Sequence, residues 1–249
     1  KQLDIKKSQL EQVLARIGGF DEIPVIEKVI PSPSPYHYRN RITLNPRKLD
    51  DKYVIYGYRN EKTRELMEIK SCPIASEEVN ELIPLVHRTK WAHTNAKRDK
   101  PKSATLRNSA GDEPVIYYGL APNAMPWRKE DIGGKEFRVP LASFYQVNSA
   151  VAVDLFNLTS EWINELPVTR VVDAFCGAGF LSVGIKDRDI VGVEENEAAV
   201  QAAHYNALQW GVKSSNYIAG DANKLMKRHL KGRGKNTALI LDPPRRGCG

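Results

Sequence analysis

The stretch VVDAFCGAGFLS, residues 171–182, joins a short apolar strand to a turn that contains two glycines. The two valines predict the strand, which runs into Asp173, and Gly177 and Gly179 predict a tight turn. Because glycine has no Cβ and tolerates positive φ, the backbone of such a turn can come close to a ligand. The apolar residues after Gly179 predict a short helix whose N-terminus faces the same ligand. Two glycines alone are weak evidence, so the interpretation depends on the residues that follow.

Three more buried strands are predicted after this stretch, over residues 190–194, 216–219 and 238–241. Between the first two of them, Asn196 and Gly211 predict the start and the end of a helix. In an open parallel α/β sheet, ligands bind at the carboxyl edge of the strands. One acid after a strand is ordinary in a surface loop, but all four predicted strands end at or next to one. Together they predict a shared binding edge, formed by Asp173, Glu194, Asp221 and Asp242.

Two nucleotide cofactors compete for this edge. A dinucleotide fold would have Gly-x-Gly-x-x-Gly or Ala, whereas the third position here is Ser182. That fold also leaves the Asp-Pro-Pro-Arg run from Asp242 unexplained. The pattern instead resembles the S-adenosylmethionine (AdoMet) site of class I methyltransferases, in which these acids and glycines lie near the methionine part, the ribose and the adenine. The resemblance implies that the cofactor-binding residues include Asp173, Gly177, Gly179, Glu194, Asp221 and Asp242.

The composition limits the class of protein. The chain has 249 residues, enough for two modest domains, and its net charge of +7 favours an anionic partner. No apolar run approaches the roughly 20 residues of a membrane span, and the N-terminus lacks the features of a secretion signal. The three cysteines are widely spaced and odd in number, which argues against a disulfide framework. We expect a monomeric cytoplasmic protein without a membrane partner.

Two domains are predicted, residues 1–148 and residues 149–249. The first is a smaller α+β domain, with an N-terminal helix that ends at Gly18-Gly19 and a helix over residues 76–86. Short strands over residues 42–45, 53–59 and 66–69 are predicted to form an antiparallel meander, and further short strands are predicted at Leu106, 115–118 and 137–139. The second domain begins with a helix over residues 150–166 and contains the parallel sheet. The buried side of that helix is predicted to contain Val151, Leu155, Leu158, Trp162 and Ile163.

Two basic segments of the first domain are candidates for an RNA-binding face. In IPSPSPYHYRNR, residues 30–41, prolines stiffen a loop in which aromatics and arginines can stack on bases and contact phosphates. Residues 88–107 contain seven Lys or Arg and one acid. The alternatives are a surface turn for the first segment and a solvated loop for the second, although the net charge favours RNA. The candidate RNA-binding residues are Tyr38, Arg39, Arg41, Lys97, Arg98, Lys100 and Lys102.

The order of motifs resembles that of the RNA uracil-C5 methyltransferases, which form 5-methyluridine in transfer and ribosomal RNA. The matching segments are FYQVN at 144–148, DAFCGAG at 173–179 and DPPRRG at 242–247, with YRNR at 38–41 and SCPI at 71–74. The resemblance implies that Gln146 helps to hold AdoMet. It also implies that Asp242 lies at the methyl-transfer site, close to the flipped uracil. We expect an RNA substrate, ribosomal RNA rather than transfer RNA.

In this family an enzyme thiolate adds to C6 of uracil, the resulting enolate attacks the AdoMet methyl group, and a base removes the C5 proton. Such covalent catalysis divides one difficult step into easier ones. The resemblance places the nucleophilic cysteine and the base beyond Gly249, and Cys248 does not match the cysteine's position. The four-stranded sheet is also incomplete, with its fourth strand as a bare edge. We therefore expect a fragment, or the ordered part, of a longer enzyme, inactive alone.

The other two cysteines have separate interpretations. Some family members bind a [4Fe-4S] cluster through three upstream cysteines and one in a Cys-Pro segment. Cys72 matches that last ligand, but one cysteine cannot hold a cluster, so a cluster is expected only if upstream cysteines exist in a longer chain. Cys176 lies in the glycine turn and is predicted to pack near AdoMet as a small residue.

Two alternative functions stay open. Asp-Pro-Pro at 242–244 also resembles the motif of amino-group methyltransferases, in which an aromatic residue follows the prolines; that position is Arg245 here, which counts against them. The other alternative is a binding module that holds AdoMet and RNA and catalyses nothing. The lack of a matching nucleophile favours that description for the chain alone.

Overall fold

A computed structural model describes residues 1–50, 52–88, 90–119, 127–231, 236–245 and 247–248. The chain divides into two compact units, Lys1–Pro35 and Tyr36–Gly249. The first unit contains helix α1 (Gln2–Arg16), which confirms the predicted N-terminal helix, and none of its residues is buried. The predicted boundary after Asn148 lies within the second unit and stays a prediction. No helix in the described parts of the chain has the length and apolar composition that crossing a membrane requires.

The second unit begins with a five-stranded antiparallel sheet. Its strands lie in the order β3-β2-β1-β4-β5, and every neighbouring pair is antiparallel. The sheet confirms the predicted meander and extends it to five strands. The strands are β1 (Arg41–Lys48), β2 (Val54–Arg59), β3 (Leu66–Glu68), β4 (Ala104–Ser109) and β5 (Asp112–Tyr118).

Two helices pack on this sheet. Helix α2 (Glu77–Leu82) starts at Ser76, whose side chain accepts a hydrogen bond from the Val79 amide at 3.3 Å. A 3₁₀ turn, Ile83–Leu85, continues it and contains Pro84, which has no amide hydrogen to continue an α-helix. The predicted helix over residues 76–86 therefore consists of two pieces. Helix α3 (Lys90–Ala96) follows.

A β-hairpin, β6 (Trp127–Ile132) and β7 (Lys135–Pro140), leads out of this region. Its first strand was absent from the sequence prediction, because four consecutive charged residues, 128–131, occupy its centre. Two of them are buried, and the burial of Glu130 depends on Arg107 in β4, whose Nη2 donates to Glu130 Oε1 at 2.8 Å. Arg107 Nη1 also donates to the Leu141 carbonyl at 2.8 Å. This buried ion pair ties the hairpin to the five-stranded sheet.

Helix α4 (Ser149–Glu165) connects the hairpin to the parallel sheet. Its existence confirms the sequence prediction, but the predicted buried face was wrong except for Ile163. The helix buries Ala152 and Phe156 with Ile163, whereas the side chain of Trp162 is 61% exposed. Apolar residues lie all around this helix, so their spacing did not select one face.

The parallel sheet has the order β10-β9-β8-β11, and its neighbouring strands are all parallel. This confirms the predicted α/β sheet, with bounds within one residue for the three strands after the first. Strand order reverses between β8 and β11, where open α/β sheets bind ligands. The elements are β8 (Arg170–Ala174), β9 (Asp189–Glu194), α5 (Glu197–Trp210), β10 (Ser215–Ala219), α6 (Ala222–Leu230) and β11 (Thr237–Leu241).

Two further sequence predictions concern the ends of this sheet. Asn196 caps α5 and Gly211 ends it with φ of 74°, both as predicted. Residues 177–184 form consecutive turns instead of the predicted short helix. Among the described strands β11 pairs with β8 alone, so it lies at the edge of the sheet, as predicted.

Candidate cofactor site

A small cavity opens at the carboxyl ends of β8 and β11, at the point where the strand order reverses. Four predicted cofactor residues line it: Gln146, Asp173, Gly177 and Asp242. They come from three segments, namely the loop before α4, strand β8 with its turn, and the residue after β11. Four aromatic residues also line the cavity, namely Phe144, Tyr145, Phe175 and Phe180. The structure therefore brings together residues that lie nearly 100 positions apart.

The glycine turn has the predicted backbone. Gly177 and Gly179 have φ of 55° and 83°, and Phe175 just before them has φ of 67°. Positive φ costs glycine little, but it is strained for an aromatic residue, and such strain is typical of functional sites. The amides of Phe175 and Cys176 both donate to the Val193 carbonyl, at 2.8 and 3.1 Å, so the turn is anchored on β9.

Glu194, the last residue of β9, lies beside this turn. Its Oε2 accepts a hydrogen bond from the Gly177 amide at 3.1 Å, and its Oε1 accepts one from the Asn196 amide at 2.9 Å. The carboxylate thus joins the end of β9 to the turn that lines the cavity. Its predicted role on the ribose stays a prediction.

Asp173 is the most deeply buried acid of the site, with 1% of its surface exposed. Burial raises its pKa from 3.8 to about 7; the hydrogen bond to Ser182 lowers this pKa, and the carboxylates of Asp242 and Glu194 raise it further. Its Oδ2 accepts no hydrogen bond from the residues that the structure describes. Buried polar atoms usually have a partner. A cationic group such as the ammonium of AdoMet would supply one, so the residues present fit this cofactor.

Tyr217 in β10 supports the glycine turn from behind, a role that the sequence analysis missed. Its hydroxyl lies 3.1 Å from Ser182 Oγ, within the buried core. A Cβ atom on Gly192 would lie 2.1 Å from the Tyr217 ring and 2.9 Å from Cys176 Sγ. A Cβ atom on Gly179 would lie 3.2 Å from the Tyr217 hydroxyl. The ring therefore occupies space that only glycine leaves open in β9.

Asp221 lies after β10 and caps helix α6. Its Oδ1 accepts hydrogen bonds from the amides of Asn223 and Lys224, at 2.9 and 3.3 Å. Capping accounts for an acid at this position without a ligand. Its predicted approach to the adenine stays a prediction.

The three cysteines have different surroundings. Cys72 is buried in the core of the antiparallel sheet, and the Tyr58 hydroxyl donates to its sulfur at 3.4 Å. Cys176 is buried in the glycine turn, and burial raises the pKa of its thiol well above the ordinary value, helped by the charges of Asp173 and Glu194. Cys248 is partly exposed. Within the described ranges no three His, Cys, Asp or Glu side chains are grouped as a metal site would require.

A second groove adjoins the cofactor cavity. Arg39, Arg41 and Tyr58 line it on the side of the antiparallel sheet, and Phe144 and Tyr145 line both the groove and the cavity. Phe144 is 69% exposed, although it is an apolar side chain. Two of the three predicted RNA-binding residues of the 30–41 segment therefore lie in one groove beside the cofactor site. Arg41 also holds the chain there, because its Nη1 donates to the Ser143 carbonyl at 3.2 Å.

The basic segment predicted at residues 88–107 is only partly a loop, because it contains α3 and the start of β4, where Arg107 is buried. The loop between these two elements carries four exposed cationic side chains. Asn95, which is buried, donates to the Lys102 carbonyl and accepts from the Lys102 amide, both at 2.9 Å. Lys48 Nζ donates to the Arg98 carbonyl at 3.2 Å. The backbone of the loop is thus held in place, while its charges face solvent. They are Lys97, Arg98, Lys100 and Lys102.

Comparisons with known sequences identify relatives. No protein-family model matches the chain. It is 28% identical to a tRNA (uracil(54)-C(5))-methyltransferase of Schizosaccharomyces pombe, over 100% of the chain and 49% of that relative. It is 25% identical to an uncharacterized RNA methyltransferase of Thermosynechococcus vestitus, over 99% of the chain and 65% of the relative. The chain thus spans about half to two thirds of the length of these curated relatives.

Among solved structures, the fold is similar to that of the Pyrococcus abyssi tRNA (uracil-54, C5)-methyltransferase in complex with S-adenosyl-L-homocysteine. The TM-score is 0.68 at 21% identity, over 100% of this chain and 68% of that one. This similarity confirms the class I methyltransferase fold. Together with the sequence relatives, it confirms the resemblance predicted from the motifs: the chain is related to the RNA uracil-C5 methyltransferases.

Proposed function

We propose that the chain is the cofactor- and RNA-binding part of an AdoMet-dependent enzyme that forms 5-methyluridine in RNA. The observation that carries this proposal is the convergence of Gln146, Asp173, Gly177 and Asp242 on one cavity at the carboxyl edge of the sheet. The unpartnered Oδ2 of Asp173 supports a cationic ligand there. The cited relatives and the related structure carry names that agree with this chemistry.

Five of the predicted cofactor residues have separate roles in this proposal. Asp173 accepts the ammonium of the methionine part, and Gly177 lets the backbone approach it. Glu194 accepts hydrogen bonds from the ribose hydroxyls, and Gln146 closes the cavity from the loop before α4. When bound, AdoMet supplies an electrophilic methyl group. Asp242 is exposed at the edge of the cavity, where its carboxylate can accept a hydrogen bond from an N–H of the target base.

The groove beside the cavity is the proposed path of the RNA. A base that is methylated on its ring must leave its stack to reach the cofactor. The exposed ring of Phe144 can stack on such a base, and Arg39 and Arg41 can contact the adjoining phosphates. The basic loop at residues 97–102 extends the positive surface. The relative from Schizosaccharomyces pombe is named for uracil 54 of tRNA, so transfer RNA is tested beside ribosomal RNA.

Uracil-C5 methylation needs a thiolate within bonding distance of C6. Cys72 is buried in the core of the other sheet, and the raised pKa of Cys176 keeps its thiol protonated. Cys248 is partly exposed and lies six positions after Asp242. None of these three thiols is both exposed and part of the cavity lining. We therefore propose that the chain alone binds both ligands and does not methylate.

The deciding experiment is mass analysis of nucleosides after the parent enzyme has been incubated with AdoMet and unmodified RNA. Transfer RNA and ribosomal RNA are tested separately. We expect 5-methyluridine from one of them. Methyl groups on exocyclic amines, with none on uracil C5, would replace this proposal with the amino-group alternative.

The inactivity of the chain alone has its own test. RNA that contains 5-fluorouridine traps the covalent adduct between a uracil-C5 methyltransferase and its substrate, because fluorine cannot leave as a proton does. We expect no stable protein–RNA band from this chain with AdoMet. A band that disappears in Cys248→Ala would make Cys248 the nucleophile.

A further inference from the structure

We propose that Asn40 is a positioning residue for the cofactor site, acting through Gln146 without touching the cofactor. Asn40 lies just before β1 of the antiparallel sheet, whereas Gln146 lines the cavity of the parallel sheet. This inference rests on the proposed AdoMet site. It adds a residue of the first sheet to the machinery that holds the cofactor.

The hydrogen bonds that Asn40 donates all lead to one segment, whereas its carbonyl accepts one from the Asn108 amide at 2.8 Å. Its side-chain Nδ2 donates to the Gln146 carbonyl and to Ser149 Oγ, both at 3.1 Å. Its backbone amide donates to the Val147 carbonyl at 2.9 Å. Both N–H groups of the Asn40 side-chain amide therefore donate hydrogen bonds, one to the residue before Val147 and one to a residue after it. Asn40 fixes the chain from Gln146 to the first residue of α4.

The segment needs such support because it has no regular structure of its own. Residues 144–147 belong to neither a helix nor a strand. Backbone carbonyls that are shielded from water need partners, and a loop cannot supply them by itself. Asn40 and Arg41 supply them here, Arg41 at Ser143 and Asn40 at Gln146 and Val147. Two neighbouring residues therefore set the path of the loop.

Asn40 also lies between the two arginines of the proposed RNA groove. Arg39 and Arg41 line that groove, whereas Asn40 is absent from the described lining of both the groove and the cavity. Its side chain is therefore available for the loop while its neighbours face RNA. This arrangement accounts for an amide between two cationic residues.

The test is Asn40→Asp in the chain as it stands. Aspartate has nearly the same shape but no N–H donors, and its charge faces the Gln146 carbonyl. We expect AdoMet affinity, measured by calorimetry, to fall roughly tenfold, the equivalent of about one lost hydrogen bond. The matched control is Asn80→Asp. Asn80 Nδ2 donates to the carbonyls of Cys72, Ala75 and Ser76 at 2.9–3.2 Å, within the antiparallel-sheet region, so this variant should lower the Tm and leave AdoMet affinity unchanged.

A double-mutant cycle separates positioning from general destabilisation. If Asn40 acts through Gln146, Asn40→Asp has little further effect in a Gln146→Ala background. Fully additive losses, or wild-type affinity in Asn40→Asp, would overturn this inference while leaving the proposed function intact. If the wild-type chain binds no AdoMet, the proposed function fails and takes this inference with it. Should Asn40→Asp not fold, Asn40→Ser keeps one donor and must give an intermediate loss that is again absent without Gln146.

Discussion

Glu130 in the hairpin and Asp173 in the parallel sheet are both buried carboxylates, but their surroundings differ. They are exposed by only 3% and 1%, and burial raises the pKa of each. One oxygen of Glu130 accepts hydrogen bonds from Arg107 at 2.8 Å and from Ser109 at 3.0 Å. These donors stabilise the charged form, and the ion pair is closed to solvent.

Asp173 has no cation of its own among the described residues. Ser182 is its hydrogen-bond partner, and two further carboxylates, Asp242 and Glu194, face it and raise its pKa. Its other oxygen stays without a partner in the described structure. A paired buried acid holds a fold together, whereas an unpaired one beside a cavity costs stability and favours a cationic ligand. Glu130 is thus paired within the fold, whereas Asp173 is the carboxylate that we propose binds a ligand.

Arg107→Met would leave the buried carboxylate of Glu130 without its ion-pair partner, so that it resembles Asp173. Removing one partner of a buried pair leaves an uncompensated charge, so we expect the free energy of unfolding to fall by about 3–5 kcal/mol. Urea unfolding measures this loss. The double variant Arg107→Met/Glu130→Met should recover much of it. Lys213→Met removes the exposed pair with Asp187 and should cost less than about 1 kcal/mol.

The second prediction concerns the pH dependence of stability. The folded-state pKa of Asp173, about 7, lies above its ordinary value of 3.8. The folded state therefore keeps a proton that the unfolded chain has lost. The contribution of Asp173 to the free energy of unfolding falls as the pH rises from about 4 to about 7. The total loss is about 4 kcal/mol, at 1.36 kcal/mol per pH unit. Asp173→Asn should remove this fall, measured by urea unfolding across that range.

The difference between the two proteins is the informative quantity, because the pH effects of other groups cancel in it. A constant difference across pH would mean that Asp173 is ionised throughout and already has a counter-ion. The same carboxylate predicts that AdoMet affinity rises with pH up to about 7, because a cationic ligand favours the ionised form. Calorimetry on Asp173→Asn should show no such rise.

Glu194→Ala removes one of the two acids whose charges raise the pKa of Asp173. It also removes charge-assisted hydrogen bonds to the proposed ribose, which we expect to weaken AdoMet binding by roughly 1.5–3 kcal/mol. Calorimetry measures the loss, and Glu195→Ala is the neighbouring control that should bind normally. Equal affinity for wild type and Glu194→Ala would transfer the ribose role to Glu195.

The smallest expected effect concerns the outer surface of the antiparallel-sheet region, where charges are not buried at all. Replacing Lys97, Arg98, Lys100 and Lys102 with Ala should make the salt dependence of RNA binding shallower by up to about 3 in slope, because fewer counterions are released. AdoMet affinity should stay the same. Replacing Lys213, Lys227, Arg228 and Lys231 with Ala gives a matched loss of charge elsewhere. Equal slopes for both variants would leave the 97–102 loop as a solvated surface.

The parallel sheet and the hairpin also differ in how much of their structure could be predicted from the sequence. The parallel strands are continuous apolar runs, such as residues 190–193, so their positions and the acids at their ends could be predicted from the chain alone. The candidate cofactor cavity lies at the edge where the rule for parallel sheets predicts it, and two of the four acids, Asp173 and Asp242, line it. Tyr217 was missed because its role depends on which strand lies beside β9. Sequence spacing does not contain that information.

Strand β6 shows the opposite case. Its four consecutive charged residues, 128–131, are typical of a solvent-exposed segment. Glu130 is nevertheless buried, because Arg107, 23 positions away in sequence, donates to it at 2.8 Å. The predicted buried side of α4 was wrong for a related reason. Apolar residues surround that helix, and only its packing partners decide that Phe156 is buried while Trp162 is exposed.

The ring of Tyr217 beside Gly192 makes these two positions mutually dependent in any mutational scan. Gly192→Ala adds a methyl group where the ring lies 2.1 Å away, so it should be rejected in the present sequence. A smaller side chain at position 217 would remove the contact with the ring and leave the milder approach to Cys176 Sγ at 2.9 Å, so alanine at 192 would be better tolerated. The two substitutions would then show strong positive epistasis. A library that varies position 192 alone would classify it as intolerant, although the restriction comes from the side chain at position 217.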